Sequence, residues 1–347
     1  MRTIRWGIIG CGDVAEVKSG PGFYKARHSK LVAVMRRNAE LARAFARRHG
    51  VLRWHDDADA IIHADDIDAV YIATLPATHH DYTLRCAAAR KPVFVEKPMA
   101  LEIAQCVAMV DACKANHVPL WVAYYRRKLR RFEAVRDLVR DGAIGEVRLI
   151  TLRQLQRIPR PGVLGSAAFA WRTDPSRGGG LFVEGVCHAL DILDFVFGPI
   201  ERVQAFVDNQ AGAYRTEDIV AANFRFASGA YGSGAWCYAS DAEEEFVEVV
   251  GSRGSVRFSV TRPLPILVTR ARRTESIAID DPPHVHQPMI QSIVDELNGA
   301  GECPSTAESA LRTARVLDAI VRDARRSSTR VNPDRAKRIA GSGSSLT

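Results

Sequence analysis

The chain has 347 residues, of which 47% are hydrophobic, and its formal net charge is +8. A chain of this length and composition can bury a large core and is expected to form two domains, which argues against a disordered or fibrous protein. No apolar run reaches the roughly 20 residues of a membrane span, and the opening residues MRTIRWGIIG lead into a strand without the pattern of a signal peptide. We predict a globular, cytoplasmic protein with no membrane partner.

The basic residues and the cysteines give little support for a nucleic-acid or metal partner. The dense basic clusters are YYRRKLRR and RARR, and a solvated helix face or loop explains each about as well as a binding patch does. The seven cysteines show neither metal-ligand spacing nor a disulfide framework. We predict reduced core thiols, no nucleic acid and no metal, with polyanion binding as a minor alternative.

The first third of the chain alternates short apolar strands with amphipathic helices. The strands are IRWGIIG, KLVAVMRR, DAVYIAT, PVFVEK and PLWVAYY, and the helices include AELARAFARRHG and AQCVAMVDACKANH. Val- and Ile-rich strands separated by helical periodicity are typical of βαβ units. The sequence therefore predicts a Rossmann-type, doubly wound parallel sheet over residues 1–122.

The pattern changes after the helix RFEAVRDLVRDGAIG to longer strands of alternating polarity. Examples are EVRLITLRQLQRI, DIVAANFRFASGAYGSGAWCYAS and EEFVEVVGSRGSVRFSV, of which the last two contain Gly turns typical of hairpins. One helix, GGGLFVEGVCHALDILDFVFG, interrupts them, and two more begin near Gln287 and Ser305. We predict an α+β domain with a mainly antiparallel sheet over residues 123–335, followed by a disordered tail at 336–347.

A glycine-rich loop follows the first strand. GIIGCGDVAE places Gly10, Gly12 and Ala15 in the pattern GxGxxA. The first Gly permits a tight turn, the second lets the backbone approach a pyrophosphate, and the Ala allows close helix packing. The loop residues predicted to bind a dinucleotide are Gly10, Cys11, Gly12, Asp13 and Val14.

The end of the second strand bears on cofactor choice. A protein that selects NAD normally carries an acid there for the ribose 2′-hydroxyl, whereas this chain has Arg36 and Arg37 in VMRRN. Two guanidinium groups can bind a 2′-phosphate in bidentate fashion. The sequence favours NADP(H) over NAD(H), although Asp13 or Glu40 could still reach the ribose, and two solvated arginines are the alternative.

The helix after Gly180 carries three ionisable residues on one face. Glu184, His188 and Asp191 follow spacings of four and three. A neutral histidine can accept a proton from an alcohol or return it, and a neighbouring carboxylate can fix its tautomer. The alternative is a core histidine that is satisfied by Asp191.

Four motifs stand in a fixed order: GxGxxA, YIATLPATHH, VEKPMA and GGGLFVEGVCHALD. With them the chain resembles the Gfo/Idh/MocA oxidoreductases from about residue 4 to residue 330. The resemblance implies an NAD(P)-dependent dehydrogenase or reductase that acts on the CH–OH groups of sugars, inositols, related polyols or dihydrodiols. It also implies a dimer or tetramer built on the second sheet.

The resemblance assigns roles to individual residues. Lys97 ends the strand PVFVEK and is expected to bind the substrate oxygen and act in proton transfer, with Glu96 near the nicotinamide ribose and Pro98 often in the cis form. His188 and Glu184 match the pair that similar enzymes place against the substrate, although the family usually has Asp where this chain has Glu184.

Further positions match the family less closely. The expected cofactor-side residues are Thr74, Pro76, His79, Trp171 and Arg172, and the expected substrate-side residues are Tyr125 and Arg126. We predict hydride transfer between NADP(H) and a secondary alcohol or ketone of a small polyhydroxylated substrate, in a homodimer or homotetramer. The alternative is a non-catalytic sensor of NADP(H).

Overall fold

In the computed structural model, residues 1–174 and 180–328 are described. The predicted tail at 336–347 lies outside them. The helices are Gly20–Lys25 (α1), Ala39–His49 (α2), Asp59–Ile62 (α3), His79–Ala88 (α4), Ile103–Ala115 (α5), Arg130–Arg140 (α6), Pro161–Leu164 (α7), Ala167–Ala170 (α8), Leu181–Phe197 (α9), Gln287–Leu297 (α10) and Ala307–Ser328 (α11). Among the described residues, no helix is both long enough and apolar enough to cross a membrane.

The strands divide into two sheets. They are Ile4–Ile9 (β1), Ser29–Met35 (β2), Arg53–His55 (β3), Ala69–Ile72 (β4), Val93–Val95 (β5), Leu120–Val122 (β6), Val147–Leu155 (β7), Ile200–Asp208 (β8), Ile219–Phe226 (β9), Tyr231–Cys237 (β10), Glu244–Gly251 (β11), Gly254–Phe258 (β12), Ile266–Arg270 (β13) and Arg273–Ile277 (β14). The first six form one sheet and the last eight the other.

The first sheet is parallel throughout, in the order β3-β2-β1-β4-β5-β6. β4 and β5 are buried along their whole length, and strands covered on both faces read as the continuous apolar runs seen in the sequence. β3 was not predicted, because its three residues are half-buried or exposed at the sheet edge. The predicted doubly wound sheet is confirmed, and its order reverses between β1 and β4, where ligands bind in such folds.

A π-helical turn, Ala15–Ser19, stands between the glycine loop and the short α1. Pro21 has no N–H and cannot continue the i to i−4 hydrogen bonds of a regular helix. Gly20 N instead donates to Ala15 O. The segment after the loop is therefore a turn and a short helix, and Lys18 lies within the turn.

The second sheet has the order β14-β13-β12-β11-β7-β10-β9-β8. Its neighbouring strands are antiparallel except β7 and β10, which run parallel. α9 packs on one face: the ring centroids of Phe182 and Trp236 are 5.3 Å apart, and those of Phe197 and Phe226 are 5.9 Å apart. The predicted mainly antiparallel sheet is confirmed. β8, β13 and β14 are not among the strands named from the sequence, and most residues of β8 and β14 are exposed.

The last two helices bring the chain back to the first domain. Gln291 of α10 accepts a hydrogen bond from Arg27 N at 2.7 Å, and Asn298 accepts one from Arg2 N at 2.8 Å. Ser305 Oγ donates to Val122 O at 2.7 Å. The range 123–335 stays the predicted second domain, but α10 contacts the first. Because α10 packs against the first domain, His286, directly before α10, lies near the carboxyl ends of β5 and β6.

Candidate active site

A cleft of about 690 Å³ opens at the carboxyl ends of the parallel strands. Its walls come from the glycine loop, the ends of β2, β4 and β5, and the first turn of α9. The residues that line it are Gly10, Gly12, Asp13, Val14, Met35, Arg36, Arg37, Asn38, Leu41, Ala73, Thr74, Leu75, Pro76, Ala77, Thr78, Tyr82, Glu96, Lys97, Arg172 and Glu184. Most of the predicted cofactor residues therefore share this cleft.

The glycine loop has the shape that a pyrophosphate needs. Gly10 has φ +96°, and a Cβ there would lie 2.8 Å from the Ala73 carbonyl carbon, so a larger residue does not fit. A Cβ on Gly12 would meet nothing within 4 Å, so its backbone faces open space. The loop fits a dinucleotide. The side chain of Cys11 is buried in the core, 1% exposed, so only its backbone can take part in the predicted cofactor site.

Arg36 and Arg37 line the cleft at the end of β2. The next residue, Asn38, accepts a hydrogen bond from Leu41 N at 3.0 Å and so caps α2. The cap fixes the chain where the two arginines leave the strand. Asp13 also lines the cleft and is exposed, so the structure leaves a carboxylate near the ribose end.

The loop after β4 supplies Thr74 and Pro76 to the cleft. His79, predicted on the cofactor side, is fully buried behind this loop, with Nδ1 3.0 Å from Pro98 O and Nε2 3.0 Å from Thr74 O. Burial lowers the pKa of His79. The ring joins the β4 and β5 loops to each other. Among the described residues, no group of three or more His, Cys, Asp or Glu side chains converges as a metal site would.

Glu96 and Lys97 leave β5 in opposite directions. The Lys97–Pro98 peptide bond is cis, as the resemblance implies. Glu96 is buried, and its carboxylate accepts a hydrogen bond from the Tyr71 hydroxyl at 2.6 Å. Burial raises the pKa of Glu96, against the opposing effect of the Tyr71 hydrogen bond. Glu96 and Lys97 both line the cleft, and Lys97 contacts Glu184.

Glu184, in the first turn of α9, lies between two cations. Lys97 Nζ is 3.3 Å from the Glu184 carbonyl oxygen and 3.9 Å from Oε1, and Arg172 Nε donates to Oε2 at 2.7 Å. The extra methylene of Glu, relative to the usual Asp, lets this carboxylate contact Arg172 on the cofactor side. The side chain of Trp171, also predicted there, lies outside the described part of the structure.

His188 is buried one turn further along α9, 8% exposed. Its ring lies edge-on to Tyr125, with 5.5 Å between centroids, and Nδ1 has no hydrogen-bond partner among the described residues. Burial, followed by the charges of Arg126 and Lys97, lowers the pKa of His188 well below its usual range. The imidazole is therefore neutral at pH 7 and able to accept a proton.

The alternative interpretation, a core histidine that is satisfied by Asp191, is wrong. Asp191 is instead bound by Arg127, whose Nε and Nη2 donate to its carboxylate at 2.9 and 2.7 Å. Arg127 Nη2 also donates to Asp194 at 3.0 Å, and Arg312 donates to the same carboxylate. This buried cluster joins α9 to the segment after β6. It holds the helix that carries His188 in place.

His286 is a site residue that the sequence analysis missed. Its ring centroid is 4.3 Å from that of Tyr125, and Nδ1 is 3.8 Å from Glu96 Oε1. Burial lowers the pKa of His286 to about 3, with smaller effects from Lys18, Arg126 and Lys97. Tyr125 thus separates two neutral imidazoles. No local sequence pattern indicates that His286 belongs to the site. It lies near Tyr125 and Glu96 only because α10 packs against the first domain.

A glycine loop suited to a dinucleotide, with a lysine after the neighbouring strand β5 in the same cleft, is typical of a nicotinamide-dependent oxidoreductase. Residues 4–124 match the model described as "Oxidoreductase family, NAD-binding Rossmann fold", and residues 132–257 match the "GFO/IDH/MocA C-terminal domain". The chain belongs to the GFO/IDH/MocA family of oxidoreductases. The predicted enzyme class is confirmed.

The sequence matches to individual relatives cover most of the chain. It is 36% identical over 318 residues to an oxidoreductase of Formosa agariphila, which spans 91% of this chain and 97% of the relative. It is 28% identical over 310 residues to the 1,5-anhydro-D-fructose reductase of Ensifer adhaerens, spanning 88% and 91%. The structure of aldose-aldose oxidoreductase from Caulobacter crescentus complexed with glycerol is similar, with a TM-score of 0.83, 26% identity and coverage of 94% and 98%.

Proposed function

We propose that this enzyme transfers a hydride between NADP(H) and a secondary alcohol, or its ketone, in a small polyhydroxylated substrate. The observation that carries the proposal is that Lys97 and Glu184 lie in the same cleft as the glycine loop, with His188 one helical turn beyond. The names of the relatives, a reductase of an anhydrosugar and an aldose oxidoreductase, support a sugar-like substrate.

The proton and the hydride move separately in this reaction. The nicotinamide, when bound, supplies or accepts the hydride. Lys97 donates a hydrogen bond to the substrate oxygen and so stabilises the negative charge that develops there. Neutral His188 accepts the hydroxyl proton during oxidation and returns it during reduction. Glu184 positions Lys97 through the contact at 3.9 Å.

The preference for NADP(H) rests on Arg36 and Arg37. Both line the cleft at the end of β2, where the 2′-substituent of the adenosine ribose is bound in this fold. A 2′-phosphate gains charge-assisted hydrogen bonds from them. Asp13 supports the alternative, NAD(H), because its carboxylate can accept a hydrogen bond from a free 2′-hydroxyl.

We propose further that the enzyme is a homodimer or homotetramer associated through the second sheet. Large apolar side chains lie on the face opposite α9: Phe206 is 75% exposed, Tyr231 62% and Leu149 44%. Tyr231 and Leu149 are direct cross-strand neighbours. Such a face is an association surface. The double variant Phe206→Lys, Tyr231→Lys should sediment as a monomer if the proposal holds, and an unchanged mass would reject it.

The function is tested by nicotinamide absorbance with purified protein, both cofactors, and a panel of aldoses, ketoses, inositols, anhydrosugars and dihydrodiols. Turnover with NADP(H) that falls about 100-fold or more in His188→Asn supports the proposal. Tight NADPH binding without turnover of any compound would instead favour a sensor.

A further inference from the structure

Two basic side chains beside the cleft, Lys18 and Arg126, form no ion pair with a carboxylate in the described part of the chain. The next buried or half-buried bases after Arg126 are all paired: Arg127 with Asp191, Lys128 with Glu133 and Arg131 with Asp281. Arg126 is thus an exception within its own segment. An unpaired base next to a catalytic cleft points to an anion that is supplied from outside the chain.

Arg126 is held in place by neutral groups. Its Nε donates to Val260 O at 3.0 Å, and its guanidinium carbon lies 5.0 Å from the centroid of the Tyr125 ring. Nη1 is buried and has no hydrogen-bond partner in the described residues. A buried donor of a charged group is costly when it is left unsatisfied. The fixed side chain therefore offers a donor that a ligand can satisfy.

Lys18 is a second base whose charge interacts with this region. It is exposed, in the π turn that follows the glycine loop. Partial desolvation, followed by the like charges of Lys97 and Arg126, lowers the pKa of Lys18. Lys18 is therefore close enough to Lys97 and Arg126 for their charges to act on it, whereas the cofactor phosphates are expected at the glycine loop and at Arg36.

The positive charges converge on the catalytic histidine. After burial, the causes that lower the pKa of His188 include the charges of Arg126, Lys97 and Lys18. At Lys18, two carboxylates, Glu96 and Glu184, oppose the like charges, and Glu184 already contacts Arg172 at 2.7 Å. Like charges that converge in a partly desolvated site repel one another, and a bound anion relieves that repulsion.

We propose that the substrate carries an anionic group, a carboxylate or a phosphate, which Arg126 and Lys18 bind while Lys97 holds the reacting oxygen. The inference rests on the proposed hydride transfer and specifies its substrate class. A planar guanidinium with a free Nη1 and a flexible ammonium suit a carboxylate or phosphate attached to a small sugar. Binding of the anion also opposes the effect of the cations on His188, so the imidazole becomes a better base once substrate is present.

The test compares the dissociation constants of several sugars and anions for the complete chain with NADPH bound. Binding is monitored by the fluorescence of the nicotinamide. The ligands are D-glucuronate, D-galacturonate, the neutral D-glucuronamide, D-glucose 6-phosphate, D-glucose and inorganic sulfate. We expect an anionic sugar to bind about tenfold or more tightly than its neutral counterpart. The preference should disappear in Arg126→Gln and weaken in Lys18→Gln, whereas Arg130→Gln, an exposed neighbour in the same segment, should retain it.

Several results would overturn the inference: equal affinity for charged and neutral sugars, no binding of any anionic sugar, a preference that survives both variants, or sulfate that binds as tightly as the sugars. Selective binding of the sugar acids or of the sugar phosphate supports it and identifies the anion. Because the readout is binding, a lack of turnover with every compound counts against the proposed hydride transfer alone.

Discussion

Lys97 Nζ lies 3.9 Å from Glu184 Oε1, so a residue of the first domain and a residue of the second form one ion pair across the cleft. Arg172 holds the other oxygen of the same carboxylate at 2.7 Å. Glu184 therefore determines how Lys97 is presented to a substrate. The longer Glu, in place of the family's usual Asp, reaches both bases.

The first prediction concerns this carboxylate. Glu184→Gln keeps the size of the side chain but removes the charge beside Lys97, so we expect kcat to fall about 10- to 100-fold. Glu184→Asp keeps the charge and should recover most of that loss. Steady-state kinetics on both variants checks this. Equal losses in the two variants would contradict this expectation and show that the length of the side chain matters as much as its charge.

The second prediction concerns cofactor choice. Arg36→Gln with Arg37→Gln should raise the dissociation constant for NADPH about tenfold or more, because charge-assisted hydrogen bonds to the 2′-phosphate are lost. The constant for NADH should change little. Arg43→Gln, an exposed arginine of α2, is the matched control. Equal weakening of both cofactors would argue against a 2′-phosphate site.

The third prediction is a pH dependence of stability. Burial lowers the folded-state pKa of His286 to about 3, whereas an unfolded histidine titrates near 6.5. Between those values the unfolded chain binds a proton that the folded chain does not. Stability is therefore complete above about pH 6.5 and falls as the pH decreases, by about 1.4 kcal/mol per pH unit for this residue.

His286→Gln should remove that contribution from the slope of the unfolding free energy against pH between about pH 5.5 and 4. Urea titrations at several pH values give the slope. His117→Asn, at an exposed histidine that forms no ion pair in the described residues, is the control for the substitution itself. A slope that is the same in His286→Gln and the wild type would mean that His286 becomes charged in the folded protein.

The fourth prediction concerns the buried ion cluster. Arg127→Met leaves Asp191 and Asp194 without their shared cation, and breaking such a buried pair costs about 3–5 kcal/mol. Arg130→Met, three positions on and exposed, should change the unfolding free energy by less than about 0.5 kcal/mol. Chemical denaturation measures both. A small effect in Arg127→Met would show that α9 is held mainly by its apolar packing.

The sequence predicts the parts of the site that depend on neighbours along the chain. Gly10 and Gly12 need a particular backbone, and Lys97 follows a strand whose apolar run is visible in the sequence. Arg127 and His286 are different. Arg127 meets Asp191, 64 positions away, and His286 reaches the cleft only because α10 returns to the first domain. The periodicity of residues within one helix or strand does not indicate such long-range contacts.

The same limit explains why the partners of two polar side chains could not be predicted. Asp191 shares a helix face with His188, as the spacing predicts, yet the sequence could not show that Arg127 lies closer to it. His79 stands in a cofactor-side loop, but its ring points inward to two carbonyl oxygens. A position on an element can be predicted from spacing, whereas the partner of a polar side chain depends on which other elements pack there.

The most direct test of the proposed hydride transfer is isotopic. The enzyme is incubated with NADPH deuterated at C4 of the nicotinamide and with keto sugars, keto sugar acids and keto inositols, and the products are analysed by mass spectrometry. We predict one deuterium on a carbinol carbon of a product, and a rate about 100-fold or more lower in Lys97→Met, whose NADPH binding is retained. Deuterium transfer at the same rate in Lys97→Met, or none from enzyme that binds NADPH, would contradict the proposed mechanism.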